Sequence, residues 1–120
     1  MRLRRPRREA TPPPDISVLD QYVRSAPSPQ NAIDVFAGEW ASRLPGHIGV
    51  EAGSVPLFED QRITWMIEQA GGVDGRSVLE LGPLEGGHTW MLESAGANVT
   101  AIESNSRAYL RCLVVKELLP

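Results

Sequence analysis

The chain of 120 residues is poor in cysteine, in aromatic side chains and in long apolar runs. Cys112 is its one cysteine, which excludes an intramolecular disulfide and any metal site built on several thiolates, and no metal is expected. No apolar run reaches the roughly 20 residues that cross a bilayer, so no membrane partner is expected. The arginines of the N-terminus are not followed by the apolar stretch of a secretory signal but by Thr11-Pro12-Pro13-Pro14, and the expected location is the cytoplasm. Positive charge is scarce outside the first ten residues. Those ten carry +4 from five arginines and Glu9, whereas the remaining 110 carry −7. So acidic a body excludes a protein that grips nucleic acid with its whole surface, and no nucleic-acid partner is expected.

Three stretches differ in character. Residues 1–14 combine like charge with proline and read as a disordered basic arm. Residues 15–72 read as an N-terminal helical region of about three helices. Asp15 caps a short amphipathic stretch with Ile16, Leu19 and Val23 on one face, broken at Ala26-Pro27. Ser28 as cap and Pro29 at the first helical position open a second, in which Ile33, Phe36, Trp40 and Leu44 form one stripe over three turns up to Pro45-Gly46. Residues 45–57 read as a connecting loop, and a third helix is expected from Phe58 to Ala70, with Ile63, Met66, Ile67 and Ala70 inward. Trp40, Trp65 and Trp90 fall at apolar helical positions and read as core.

Residues 73–120 change period. Ser77–Leu81 and Asn98–Ile102 are strand-like runs, separated by a Gly-rich turn and a helix over 88–95, and followed by a helix that Asn105 caps and that extends to Leu119. This β-α-β-α order places a parallel pair of strands side by side, and ligands of open α/β sheets sit beyond the carboxyl ends of the strands. Those ends hold Glu80, Gly82, Leu84, Gly86, Gly87 and His88 after the first strand, and Glu103 and Ser104 after the second. A Gly-rich turn that enters a helix brings a ligand close to backbone N–H groups, and a carboxylate ending the next strand can accept both hydrogen bonds of a ribose diol. Glu103 lies 21 residues after Gly82, near the ~20 expected between such a turn and its ribose acid. Leucine at 84 removes the middle glycine of a dinucleotide fingerprint, which disfavours NAD or FAD, and the absence of a lysine after the glycines excludes a P-loop.

Val78-Leu79-Glu80-Leu81-Gly82-Pro83-Leu84-Glu85-Gly86-Gly87 resembles the first motif of class I S-adenosylmethionine (SAM)-dependent methyltransferases, and Val99-Thr100-Ala101-Ile102-Glu103 resembles their second strand with its ribose acid. A looser likeness to a bacterial branch of these enzymes runs from about residue 26 to the end. The resemblance implies an α/β fold, the N-terminal part of a Rossmann-like methyltransferase sheet preceded by about three helices, with residues 73–120 as a partial SAM-binding domain. It implies SAM as cofactor. Gly82 and Gly86 would line its methionine part, the helix start at Gly87, His88 and Thr89 would lie near that end, Glu80 would organise the turn, and Glu103, followed by Ser104, would hold the ribose. Leu84 departs from the commonest pattern, in which glycine stands between the other two. The motifs cover 77–105 only, so the chain is expected to be a truncated methyltransferase with half a cofactor site. No acceptor and no general base can be named. His88 reads first as a helix-start residue, Cys112 as a buried inert thiol, and Glu59-Asp60 as a helix N-terminal acidic pair. The alternatives are a non-catalytic interaction protein that keeps the βαβ scaffold and, further off, an NAD(P)-dependent oxidoreductase.

Overall fold

The computed structural model describes Ser17 and residues 22–119; the basic arm and most of the first expected helix lie outside them. Among the described residues the order is α1 (Pro29–Asp34), α2 (Gln61–Gln69), β1 (Ser77–Leu81), α3 (Gly87–Ser94), β2 (Asn98–Ile102) and α4 (Ser106–Leu118), with short 3₁₀ turns at Gly46–Ile48 and Leu57–Glu59. The described residues form a mixed α/β architecture, with one two-stranded parallel sheet and four α-helices.

The C-terminal part follows the sequence pattern closely. Both strands occupy the expected five residues and pair in parallel, from Ser77 opposite Asn98 to Leu81 opposite Ile102. Asn105 caps α4, its side-chain oxygen accepting from the N–H groups of Arg107 and Ala108. Asn98 N–H donates to the Arg76 carbonyl and Gly82 N–H to that of Ile102. Alternation along the strands then directs the backbone groups of Leu79 and Leu81 to one outer edge and those of Val99 and Ala101 to the other. One sheet face is covered: Val78 and Val99 pack on Val73, Leu92 and Ala97, together with Ile63 and Ile67 of α2. The other is bare, with Leu79 63% exposed, Leu81 72% and Ile102 55%.

The N-terminal part departs from the pattern. No helix occupies residues 22–28, and Val23, expected on an apolar face, is exposed. The expected three-turn helix stops after Asp34 and gives way to turns over 35–39, with Gly38 at φ +80°. Ser28 makes no side-chain cap bond, although Pro29 does open the helix. The apolar stripe survives without the helix, because Ile33, Phe36 and Leu44 are still buried and the Trp40 indole donates to the Ile33 carbonyl at 2.9 Å. The loop expected at 45–57 holds a 3₁₀ turn and folds back so that Val55 pairs with Ser42. Phe58 belongs to the 3₁₀ turn before α2, whose N-cap is Asp60. Ile63 and Ile67 face inward as expected, but Met66, Ala70 and Trp65 are exposed; Trp65, at 63%, is not core. Helix geometry alone puts Trp65 on the side opposite Ile63 and Ile67, whatever its apolarity.

The two parts share one core. Ile33, Leu44 and Phe58 from the N-terminal part meet Val115 and Leu119 at the end of α4, and half-buried Trp40 and Trp90 pack against this cluster. Among the described residues no helix is long and apolar enough to cross a membrane.

Candidate cofactor site

The turn between β1 and α3 takes its shape from three left-handed residues: Gly82 at φ +72°, Leu84 at +58° and Gly86 at +79°. Leu84 is the one non-glycine with positive φ among the described residues, and it occupies the position where the resembled motif carries glycine. The turn keeps the glycine-type backbone and leucine carries the strain, about 1–2 kcal/mol for an ordinary side chain. Two contacts hold the Leu84 backbone. Its N–H donates to Glu103 Oε2 at 3.1 Å, and its carbonyl accepts from Cys112 Sγ at 3.4 Å. A Cβ built on Gly82 or on Gly86 would meet nothing within 4 Å, so the space above both glycines is open.

Glu103 therefore joins the two strand ends. Its other oxygen accepts from the Asn105 N–H at 2.7 Å, and the N–H groups of Asn105, then Leu84 and Ser104, hold its carboxyl below the usual range. Ser104 is itself exposed beside it. Glu80, half-buried on β1, accepts from the Thr89 hydroxyl at 2.5 Å and so ties the strand to the first turn of α3. Gly87 is buried for another reason: a Cβ there would stand 2.8 Å from the Leu57 carbonyl oxygen, so its bareness lets the 3₁₀ turn seat against the start of α3. His88 points away from the turn, with Nε2 2.9 Å from Asp60 Oδ2. A cleft of about 550 Å³, within the ~300–1,000 Å³ range of small-molecule sites, lies mostly between α3, β2 and α4; of the expected site residues only Gly86 and Glu103 line it, and Glu80, Gly82, Leu84, Gly87, His88 and Ser104 do not. Cys112 also lines it. Burial, then the charges of Glu103, Glu80 and Glu85, pushes this thiol up to about 11, so it is a poor nucleophile at neutral pH.

Sequence reasoning missed Glu85. Its side chain is completely buried, at 0% exposure, and accepts from Ala41 N–H at 3.0 Å and Ser42 N–H at 2.7 Å. Arg111 Nε stands 3.2 Å from the same carboxylate, while Arg111 Nη1 donates to Glu39 at 3.1 Å. A polar turn gives no sign that one of its residues is buried. The sign lay on α4, where Arg111 shares a face with buried Ala108 and Val115; a lone guanidinium on such a stripe requires an acid opposite.

Asp60, expected as a helix N-terminal acid, is the N-cap of α2 and accepts from Arg62 N–H at 3.0 Å. Arg62, through side chain and backbone, and then His88 hold its carboxyl well below the usual range. Arg107, and then the charge of Arg111, also lower the Glu39 carboxyl. A carboxyl lowered in the folded state contributes stability that is complete above its unfolded pKa and lost as pH falls through the folded one. Stability is therefore expected to be flat near neutrality and to decline below the ordinary values of 3.8 for aspartate and 4.5 for glutamate. In urea unfolding measured against pH, Asp60→Asn is expected to make that decline shallower; an unchanged decline would assign the acid sensitivity to other groups.

Over 64 residues, 53% of its length, the chain is 41% identical to "Ribosomal RNA small subunit methyltransferase A" of Erythrobacter litoralis and 39% identical to the protein of that name from Bartonella tribocorum. Over 51 residues it is 45% identical to that of Novosphingobium aromaticivorans. The aligned part spans less than a quarter of these relatives, 23% of the first two and 19% of the third. No protein-family model matches the chain, and no solved structure does.

Proposed function

We propose that this chain is the cofactor-binding, N-terminal portion of a SAM-dependent methyltransferase, with residues 73–120 as a partial Rossmann-like domain and residues 15–72 as the region that packs against it. The observation that carries this reading is the hydrogen bond from Leu84 N–H to Glu103, which unites the Gly-rich turn and the acid of the neighbouring strand at one end of the sheet. The methyltransferase name shared by the relatives supports it.

The residues present fit the group. Gly82 and Gly86 offer backbone with open space above it, Glu80 and the start of α3 border the same turn, and Glu103 retains unshared lone pairs for ribose hydroxyls. Gly87, His88 and Ser104 stand at the margins of this site, Gly87 and His88 with packing partners of their own. When bound, SAM supplies an electrophilic methyl group, so the work left to this chain is to hold and orient its carrier. The relatives' name carries small-subunit ribosomal RNA; because the chain spans so little of them, the proposal extends to the cofactor and leaves the acceptor open.

Calorimetric titration of the full chain with SAM, S-adenosylhomocysteine and NAD tests the reading. Binding of the first two and not of NAD is expected. Binding of neither would sink it in favour of a non-catalytic scaffold, and binding of NAD alone would make the protein an oxidoreductase component. Glu103→Ala is expected to weaken S-adenosylhomocysteine binding by about 1–3 kcal/mol, roughly 5- to 150-fold, through lost charged hydrogen bonds. Unchanged affinity would remove Glu103 from the site.

A further inference from the structure

The geometry points to Glu85 as a positioning residue: it clamps the strained Gly-rich turn to the 39–42 segment, so ligand affinity at the turn depends on a side chain facing away from the ligand space. The inference rests on the functional reading above for the identity of the ligand, and on the structure alone for the clamp.

Glu85 lies between Leu84 and Gly86, the two left-handed residues at the end of the turn. Its fully buried carboxylate grips two successive amides, Ala41 and Ser42, more than forty positions upstream in the chain. Arg111 supplies the opposing charge and reaches on to Glu39. Glu39 also receives Arg107, whose guanidinium stands 5.0 Å over the Phe36 ring. The clamp thus spans three parts of the chain: the turn, the segment 36–42 and α4. Glu85 and Glu103 divide the work. Glu103 takes the Leu84 amide, whereas Glu85, the next residue, is anchored by its own buried side chain. A leucine at φ +58° keeps that conformation only while its surroundings over-determine it. Released from Glu85, Leu84 is free to relax to negative φ, and the turn between Gly82 and Gly86 loses the shape that leaves open space above both.

The test uses Glu85→Gln, which keeps size but not charge, in two backgrounds, the native chain and Leu84→Gly. Two readouts are taken: amide hydrogen exchange without ligand, and S-adenosylhomocysteine affinity at a temperature where circular dichroism shows the variants folded. Exchange at the Leu84 and Gly86 amides is expected to quicken at least about tenfold, while the Leu92 and Val115 amides stay unchanged. Affinity is expected to fall about tenfold or more beside Leu84 but less than about threefold beside glycine, which tolerates the left-handed backbone without a clamp. A purely structural Glu85 would cost the same in both backgrounds, and that equality would overturn the proposal; so would unchanged exchange at the turn. Should Glu85→Gln fail to fold because Arg111 is left unpaired, Glu85→Gln with Arg111→Met removes the stranded charge and carries both readouts. Should the unsubstituted chain bind no S-adenosylhomocysteine, the functional reading falls, and the exchange measurement decides the clamp by itself.

Discussion

Phe58→Ala is expected to cost about 3–5 kcal/mol, the full range for emptying an aromatic side chain from a core. Phe58 is 2% exposed and central to the cluster that closes the molecule, where it meets Ile33, Leu44, Val115 and Leu119. Its ring lies 6.0 Å from that of Trp90, so it also supports α3 just beyond the candidate site. Domains of this size have about 5–15 kcal/mol to lose, so the variant should give up a large share of its stability and unfold at a clearly lower urea concentration. Urea unfolding followed by tryptophan fluorescence measures the loss. A cost below about 1 kcal/mol would mean that the N-terminal part and α4 do not depend on this contact.

Gly53→Ala is expected to be nearly as damaging, by overpacking rather than by cavity. A Cβ at 53 would stand 2.3 Å from the Ala41 carbonyl carbon and oxygen. Those are backbone atoms, which no rotamer change can move aside. Gly53 N–H donates to the Ser42 carbonyl at 2.8 Å, and the Ser54 and Val55 amides both donate to that of Ala41. The added methyl therefore pries apart the ribbon that presents the Ala41 and Ser42 amides to Glu85. We expect about 3 kcal/mol, the upper end for overpacking, with the Gly-rich turn loosened as well. Gly46→Ala is the matched control: its Cβ would meet nothing within 4 Å, and its melting temperature should stay near that of the native chain. Equal melting temperatures for the two variants would show that the ribbon yields freely.

What could be read from the sequence depended on whether a single local interaction decided the outcome. The strands at 77–81 and 98–102 and the Asn105-capped helix were legible because apolar runs, flanking turns and a cap agreed with one another. The second expected helix was misread because its spacing was real but its geometry was not. Ile33, Phe36 and Leu44 reach the core through turns and an extended segment, and the Trp40 indole is anchored at the end of α1. Spacing reports which side chains are buried and leaves open which backbone buries them. At the site, Glu80 and Glu103 stood out by motif and spacing. Glu85 did not, since its partners are main-chain amides more than forty residues away, and no side-chain pattern announces a main-chain donor. The Asp60–His88 contact between the start of α2 and that of α3 was hidden for a different reason: it joins two side chains 28 positions apart, which no local spacing links. Leu84 was legible as a departure from the glycine pattern; that it would keep the glycine backbone was not.

The outer edge of β1, unpaired among the described residues, gives the Gly-rich turn a further meaning. The connection leaving β1 passes through α3 to a neighbour on one side only. A parallel strand laid along the opposite edge, against the outward backbone groups of Leu79 and Leu81, would carry its own connection the other way. Two connections diverging above the carboxyl end of one strand open a crevice there, the topological switch point of open α/β sheets. Residues 82–86 would form its floor, and the start of α3 with Glu103 already forms one wall.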